Sequence, residues 1–186
     1  MKRFFDLSLA LIASLMLSLP VIVMVILVRI TSPGPAFYWS DRVGRDNRIF
    51  RMPKFRSMRV DTPALATHLL ANPGAYITPL GAFLRKTSLD ELPQLWSILT
   101  GDMSFVGPRP ALFNQHDLIE LRTQHGVHEL VPGLTGWAQI NGRDEPPIPD
   151  KVALDLEYMK RRSLWFDCVI IWKTAIKVIK RDGVSH

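Results

Sequence analysis

Nothing constrains this chain as strongly as residues 7–28, an unbroken run of 22 residues without a charge. As one straight helix the run would measure roughly 33 Å, enough to cross a bilayer. Three fates are open to it. A secretory signal is disfavoured, because no small-residue cleavage site follows and the run leads straight into Arg29. A single span is what hydropathy alone selects. Two features favour a third fate, a helix that enters one leaflet, turns and returns. Lys2 and Arg3 precede the run and Arg29, Arg42, Arg45 and Arg48 follow it, and positive charge on both flanks keeps both ends on the cytoplasmic side. Pro20 removes a helix hydrogen bond near the middle and forces a bend, and Ser14 or Ser18 is placed to satisfy a freed carbonyl. The expectation is a re-entrant membrane helix over residues 1–30, broken near Pro20, and a cytoplasmic domain over 31–186 that forms one structural unit with it. Asp6, at the mouth of the segment, is expected either to stand alone at headgroup level or to pair with Lys2 or Arg3.

Composition agrees with one anchor on a polar body. The chain has 186 residues, 47% of them apolar, and a mean hydropathy of +0.10. That length suits one domain with a sizeable core. A formal charge of +6 and a pI of about 9.8 call for an anionic partner: lipid headgroups, a nucleotide or nucleic acid. The single cysteine, Cys168, makes no internal disulfide and has no metal-site spacing. His116, His125 and His128 lack a paired helical spacing with a third ligand, which argues against zinc.

Residues 87–110 read TSLDELPQLWSILTGDMSFVGPRP. Ser88-Leu89-Asp90-Glu91 fits a capping box, but that register puts Pro93 inside the helix. With Asp90 as the N-cap, Pro93 falls among donors that are free anyway. The second register, or a break in the first turn, is favoured. Leu92, Leu95, Trp96 and Leu99 then share a face, and Gly101 ends the helix. Either register aims two carboxylates and several free N–H groups at one spot. Acidic residues at helix starts commonly do no more than offset the dipole. Here Arg85 precedes the pair and Gly107-Pro108-Arg109-Pro110 follows. Arginine in a proline-stiffened loop is a planar, permanently charged phosphate ligand, and carboxylates beside arginines suit a divalent metal and phosphate chemistry.

Elsewhere, residues 49–58 read as a short strand or hairpin, 61–70 as a short helix, and Thr78-Pro79 as the start of a helix that delivers Arg85. A helix is expected over 114–123, an apolar strand over 137–140 after the Pro132–Gly136 turn, and a further turn at Asn141-Gly142. Asp150 is expected to cap a helix running to Arg161. In the final helix, 165–181, Trp165, Cys168, Val169, Trp172, Ile176 and Ile179 follow helical spacing beside Lys173, Lys177 and Lys180. Such a helix either lies on an anionic membrane surface or covers the core. The fold class is therefore α+β, mostly helical, with a small sheet.

KFRSM at 54–58, LRKTSLDELPQLWSIL at 84–99, GDMSFVGPRP at 101–110 and PGLTGWAQINGR at 132–143 resemble the bacterial sugar transferases, the monotopic phosphoglycosyl transferases that start glycan assembly on a polyprenyl phosphate. The resemblance extends from about Lys2 to Ser185. It implies transfer of a phospho-sugar from a UDP-sugar to polyprenyl (undecaprenyl) phosphate at the cytoplasmic face of a bacterial inner membrane, with release of UMP. It implies Asp90 as nucleophile, forming an aspartyl phospho-sugar, and Glu91 as a proton acceptor or, with Asp90, a ligand of Mg²⁺. Lys54, Arg85, Arg109 and Arg143 would neutralise phosphates, Pro108 and Pro110 would hold Arg109, and Asp155 and Asp167 would support the site. Anionic lipid and downstream glycosyltransferases of lipopolysaccharide or other glycoconjugate synthesis are the further partners implied. The chain resembles the small form of the family, and its break reads Ser18-Leu19-Pro20 where the family usually has Ser-Pro. A nucleic-acid module would use the same charge but needs aromatics interleaved with Lys and Arg, which are not evident. A structural scaffold would leave the arginine loops without a task. The sugar has no identifiable reader, though 61–77 and 144–149 are placed to supply one.

Overall fold

A computed structural model describes residues 1–63, 73–142 and 147–180. The expected helix at 61–70 falls largely outside these residues, as do Arg143 and the first half of the 144–149 loop. The chain is mostly helical with a small sheet, as the sequence implies.

The apolar run forms two helices, α1 (Lys2–Met16) and α2 (Ser18–Thr31), bent by 61° at Leu17. The break has a chemical cause. Pro20 has no N–H for the Met16 carbonyl and its ring crowds that carbonyl, so the chain turns one step after Met16. Ser18 Oγ donates to the Leu15 carbonyl at 2.8 Å. No single helix among the described residues is long and apolar enough to cross a membrane, but the bent pair passes that test together and fits a re-entrant helix.

Both ends of the pair are bonded to the same body. Arg3 donates to the Ile98 and Leu99 carbonyls, and Lys2 Nζ meets Asp167 at 2.6 Å. Asp6 is buried and does not pair with Lys2 or Arg3. It accepts from Ser104 Oγ at 2.9 Å and the Phe105 amide at 3.2 Å. At the far end, buried Arg56 donates to the Ser32 and Pro33 carbonyls at 2.7 and 2.6 Å, a cation at a helix C-terminus. Ala10 and Val28, facing inward, join the core of the body beside Met52, Ile98, Phe55 and Leu84.

A hairpin of β1 (Phe37–Val43) and β2 (Ile49–Phe55) follows, in register from Phe37↔Phe55 to Val43↔Ile49. The short β4 (Ala111–Leu112) adds antiparallel to β1. Between these strands come α3 (Pro79–Lys86), capped by Thr78 Oγ, a 3₁₀ turn (Leu89–Gln94), α4 (Leu95–Thr100) and β3 (Ser104–Val106). Then follow α5 (His116–Gln124), β5 (Gly133–Thr135), α6 (Trp137–Asn141), α7 (Ile148–Arg161) and α8 (Leu164–Lys180).

Several local expectations are corrected. Residues 137–140 are helix, not strand, and Asn141-Gly142 ends that helix rather than turning a hairpin. The strand lies in the preceding Gly133–Thr135, paired parallel with β3. Pro147, not Asp150, is the cap residue of α7. Trp96 is exposed, so Gln94, Leu95, Ser97 and Ile98 are the buried residues there.

Candidate active site

Ser88 enters the carboxylate segment in the left-handed region, φ 57°, and makes no side-chain cap. The Pro93-containing turn that follows is 3₁₀, so the first turn is broken from α4 as the proline implies. Gly101, φ 97°, stops α4. Asp90 is buried in this turn, and Glu91 beside it is about one-fifth exposed at its side chain, 19%.

Three elements bring cations to the pair. Lys54, next to last in β2, places Nζ 2.7 Å from Glu91 Oε1 and 3.9 Å from Asp90 Oδ2. Arg109, in the loop between β3 and β4, donates from Nη2 to the same Glu91 oxygen at 2.8 Å. Arg85, in the last turn of α3, donates from Nε to Ser57 Oγ at 2.9 Å, and the Asp90 charge favours its charged form. Burial pulls Arg85 down more strongly than Asp90 lifts it, so its pKa lies below the ordinary guanidinium value. Burial pushes Glu91 up, but the charges and hydrogen bonds of Arg109 and Lys54 together outweigh it and hold the carboxyl well below the usual range. Three cations against two carboxylates leave the cluster net positive, a field suited to an entering phosphate.

Lys54, Arg85, Asp90, Glu91 and Arg109 therefore gather at one place, with Pro110 directly after Arg109. Asp155 and Asp167 do not join them. Asp155 takes Arg122 Nε and Nη2 on one oxygen at 2.9 and 2.7 Å. Burial raises its pKa despite that partner. Asp167 binds Lys2 and accepts from Tyr158 Oη at 2.8 Å. Burial first, then Asp167, pushes the Tyr158 hydroxyl up. Each aspartate instead holds a residue that bonds the backbone near Arg109: Arg122 donates to the Arg109 carbonyl and Tyr158 to that of Val106. Ser57 and Arg122 escaped the sequence reading. Ser57 lies inside the KFRSM motif that singled out Lys54, whereas nothing local marks Arg122, whose partner is on another helix.

Among the described residues no group of three or more His, Cys, Asp or Glu side chains is gathered for a metal. The two carboxylates nevertheless fit magnesium, which is commonly held by one or two carboxylates with substrate phosphate and water in its other places.

An apolar bent-helix pair joined to a body that sets paired carboxylates among cations is equipment suited to phosphoryl chemistry beside a lipid phase. The family model that matches residues 1–181 is that of the bacterial sugar transferases, and the chain belongs to that family. It is 43% identical over 160 residues to the UDP-glucose:undecaprenyl-phosphate glucose-1-phosphate transferase of Xanthomonas campestris pv. campestris, covering 82% of this chain and 33% of that protein. The Escherichia coli K12 protein of the same name is 40% identical over 185 residues, covering 95% and 40%. The chain thus spans well under half of these relatives. It spans 91% of the uncharacterized sugar transferase EpsL of Bacillus subtilis, at 37% identity over 188 residues.

Proposed function

We propose that the protein transfers a sugar phosphate from a UDP-sugar to undecaprenyl or a similar polyprenyl phosphate, releasing UMP, at the cytoplasmic face of a bacterial inner membrane. The names of the relatives support the substrate pair. The observation that carries the reaction is the single cluster of Asp90, Glu91, Lys54, Arg85 and Arg109. Asp90 attacks the β-phosphorus, and the bond from that phosphorus to the oxygen bridging to the α-phosphate breaks. UMP leaves with the electron pair, and an aspartyl phospho-sugar remains. A phosphate oxygen of the lipid then attacks the same phosphorus, forms the lipid diphosphate sugar and frees the carboxylate.

Glu91 is assigned to orientation, because its Oε1 already holds Lys54 and Arg109 in place. Those cations, with Arg85 and Arg143, neutralise the diphosphate. Asp90 and Glu91 would hold Mg²⁺, which when bound supplies charge neutralisation for in-line displacement. The bent pair supplies depth. With both of its ends bonded to one body, the anchor enters a single leaflet and leaves residues 31–186 on one side. The outward face of α8 extends this contact: Trp165, Cys168 and Trp172 are exposed on it, an apolar stripe for the interface. Lys173 lies against the Trp137 ring at 5.2 Å, so it covers an aromatic of the body as well.

The test is a half-reaction. Purified protein, Mg²⁺ and a panel of UDP-sugars without lipid should give a burst of about one equivalent of UMP, and mass spectrometry should place a phospho-sugar on the peptide holding Asp90. Asp90→Asn should abolish both. UMP that appears only when lipid is added, with no adduct under quench, would replace the covalent step with direct transfer.

A further inference from the structure

Beyond the Gly107 N–H, which donates to the Thr135 carbonyl at 2.9 Å, the segment that presents Arg109 is held by its carbonyls, and two of its residues are prolines without an N–H. Gly133 N donates to the Pro108 carbonyl at 2.9 Å. Tyr158 Oη donates to that of Val106 at 3.1 Å, Arg122 Nη1 to that of Arg109 at 2.8 Å, and Arg42 Nη1 to that of Pro110 at 3.2 Å. Two consecutive carbonyls, those of Arg109 itself and of Pro110, are thus gripped by guanidinium groups from α5 and β1.

We infer that Arg122, clamped by Asp155, is a positioning residue that sets where the Arg109 guanidinium stands against Glu91 and the incoming phosphate. Arg122 and Asp155 are 9% and 2% exposed at their side chains. Their charges cancel, and the fork of Arg122 is turned inward to one carboxylate oxygen and one backbone carbonyl. It is therefore not itself a ligand for phosphate. A buried pair of this kind adds little stability over apolar residues of the same volume, so its distinctive contribution is geometric. A planar fork fixes three bonds in one plane, whereas an ammonium is a point donor on a flexible stem. Displacement of a positioning group by about an ångström costs on the order of a hundredfold in rate, and this bond fixes the carbonyl of Arg109 itself.

What Arg109 binds rests on the proposed function; that Arg122 fixes its backbone does not. The test is a double-mutant cycle with Arg122→Lys and Arg109→Lys on the full chain in detergent. It reads kcat/KM for UMP release, thermal unfolding, and hydrogen exchange of the peptide covering 106–113. Arg122→Lys is expected to lower kcat/KM about tenfold or more, with the protein still folded and exchange faster in that peptide. In the Arg109→Lys background the same change should cost less than about twofold, because the group being positioned is already impaired. A loss that persists in full in that background, or no loss at all, overturns the inference. If no UDP-sugar yields UMP with the wild type, the functional reading fails, and exchange alone decides the clamp: an unchanged peptide in Arg122→Lys sinks it.

Discussion

Glu91 and Arg109 meet at 2.8 Å, and the geometry of that contact separates charge from shape. Arg109→Lys keeps the charge and loses the fork. Activity should fall by more than tenfold, about 1.4 kcal/mol or more of transition-state stabilisation, read as kcat/KM. Near wild-type activity would show that the loop only supports the fold. Glu91 also makes a statement about stability. Its folded-state pKa lies well below the ordinary value of 4.5, so the folded state gives up the proton more readily than the unfolded chain. The stabilisation is fully present above that ordinary value and is lost as pH falls through it toward the folded pKa. Glu91→Gln should therefore unfold at a lower temperature than wild type at pH 7, with the gap closing on acidification. A gap that stays constant down to pH 3 would mean the contribution is not ionic. These carboxylates were legible in the sequence because motif and charge lie within one stretch. Arg122 was not, because a lone arginine in a polar helix looks solvated until α7 brings Asp155 against it.

At the scale of elements, Gly133 and Gly136 were read as turn punctuation, whereas with Gly107 they mark a close approach of backbones. A Cβ on Gly133 would stand 2.1 Å from Gly107 N, and one on Gly136 would stand 2.1 Å from Gly107 O. Parallel β3 and β5 come this close just before the Arg109 loop, which is why a Pro-Gly-rich segment is strand and the apolar residues after it are free to be a helix. The four residues Trp137, Ala138, Gln139 and Ile140 are too short a run to reveal a period. Gly136 has an extended φ of −174°, so its need for glycine is purely spatial. Gly136→Ala should destabilise by about 1–3 kcal/mol or more through overpacking against a carbonyl that cannot yield, and should lower activity with it. Gly126 offers the contrast: nothing lies within 4 Å of its would-be Cβ, but its φ is +74°. Gly126→Ala should cost about 1–2 kcal/mol from left-handed backbone alone and leave kcat/KM of the folded fraction unchanged. Equal behaviour of the two variants would refute this division between space and strain.

For the whole molecule the deciding question is whether the bent pair crosses the membrane or returns. The fold argues for return. A crossing would separate its ends by roughly 30 Å of hydrocarbon, whereas here Lys2, Arg3 and Asp6 grip α8, α4 and β3 while Arg56 grips the exit of α2. The sequence showed the flanking charges and the proline, but not that the charges at the N-terminus are spent on Asp167 and two helix carbonyls. Those bonds change how topology is to be measured. Lys2 is a structural partner, and Ser40, 4% exposed, would resist any reagent on either side. The probes belong on a cysteine inserted after Met1 and on Arg48→Cys at the exposed hairpin tip, in a Cys168→Ser background. Both should resist a membrane-impermeant thiol reagent in intact cells and react once the membrane is permeabilised. Labelling of the inserted cysteine alone in intact cells would mean a span, and the contacts of Lys2 and Asp6 would then have to break in the membrane. Pro20→Ala restores the N–H that the Met16 carbonyl lacks, so it should straighten the pair and move part of the population toward that spanning state. Because Lys2 and Asp6 hold α1 to the body, the shift should be larger when Asp6→Asn is added than with Pro20→Ala alone.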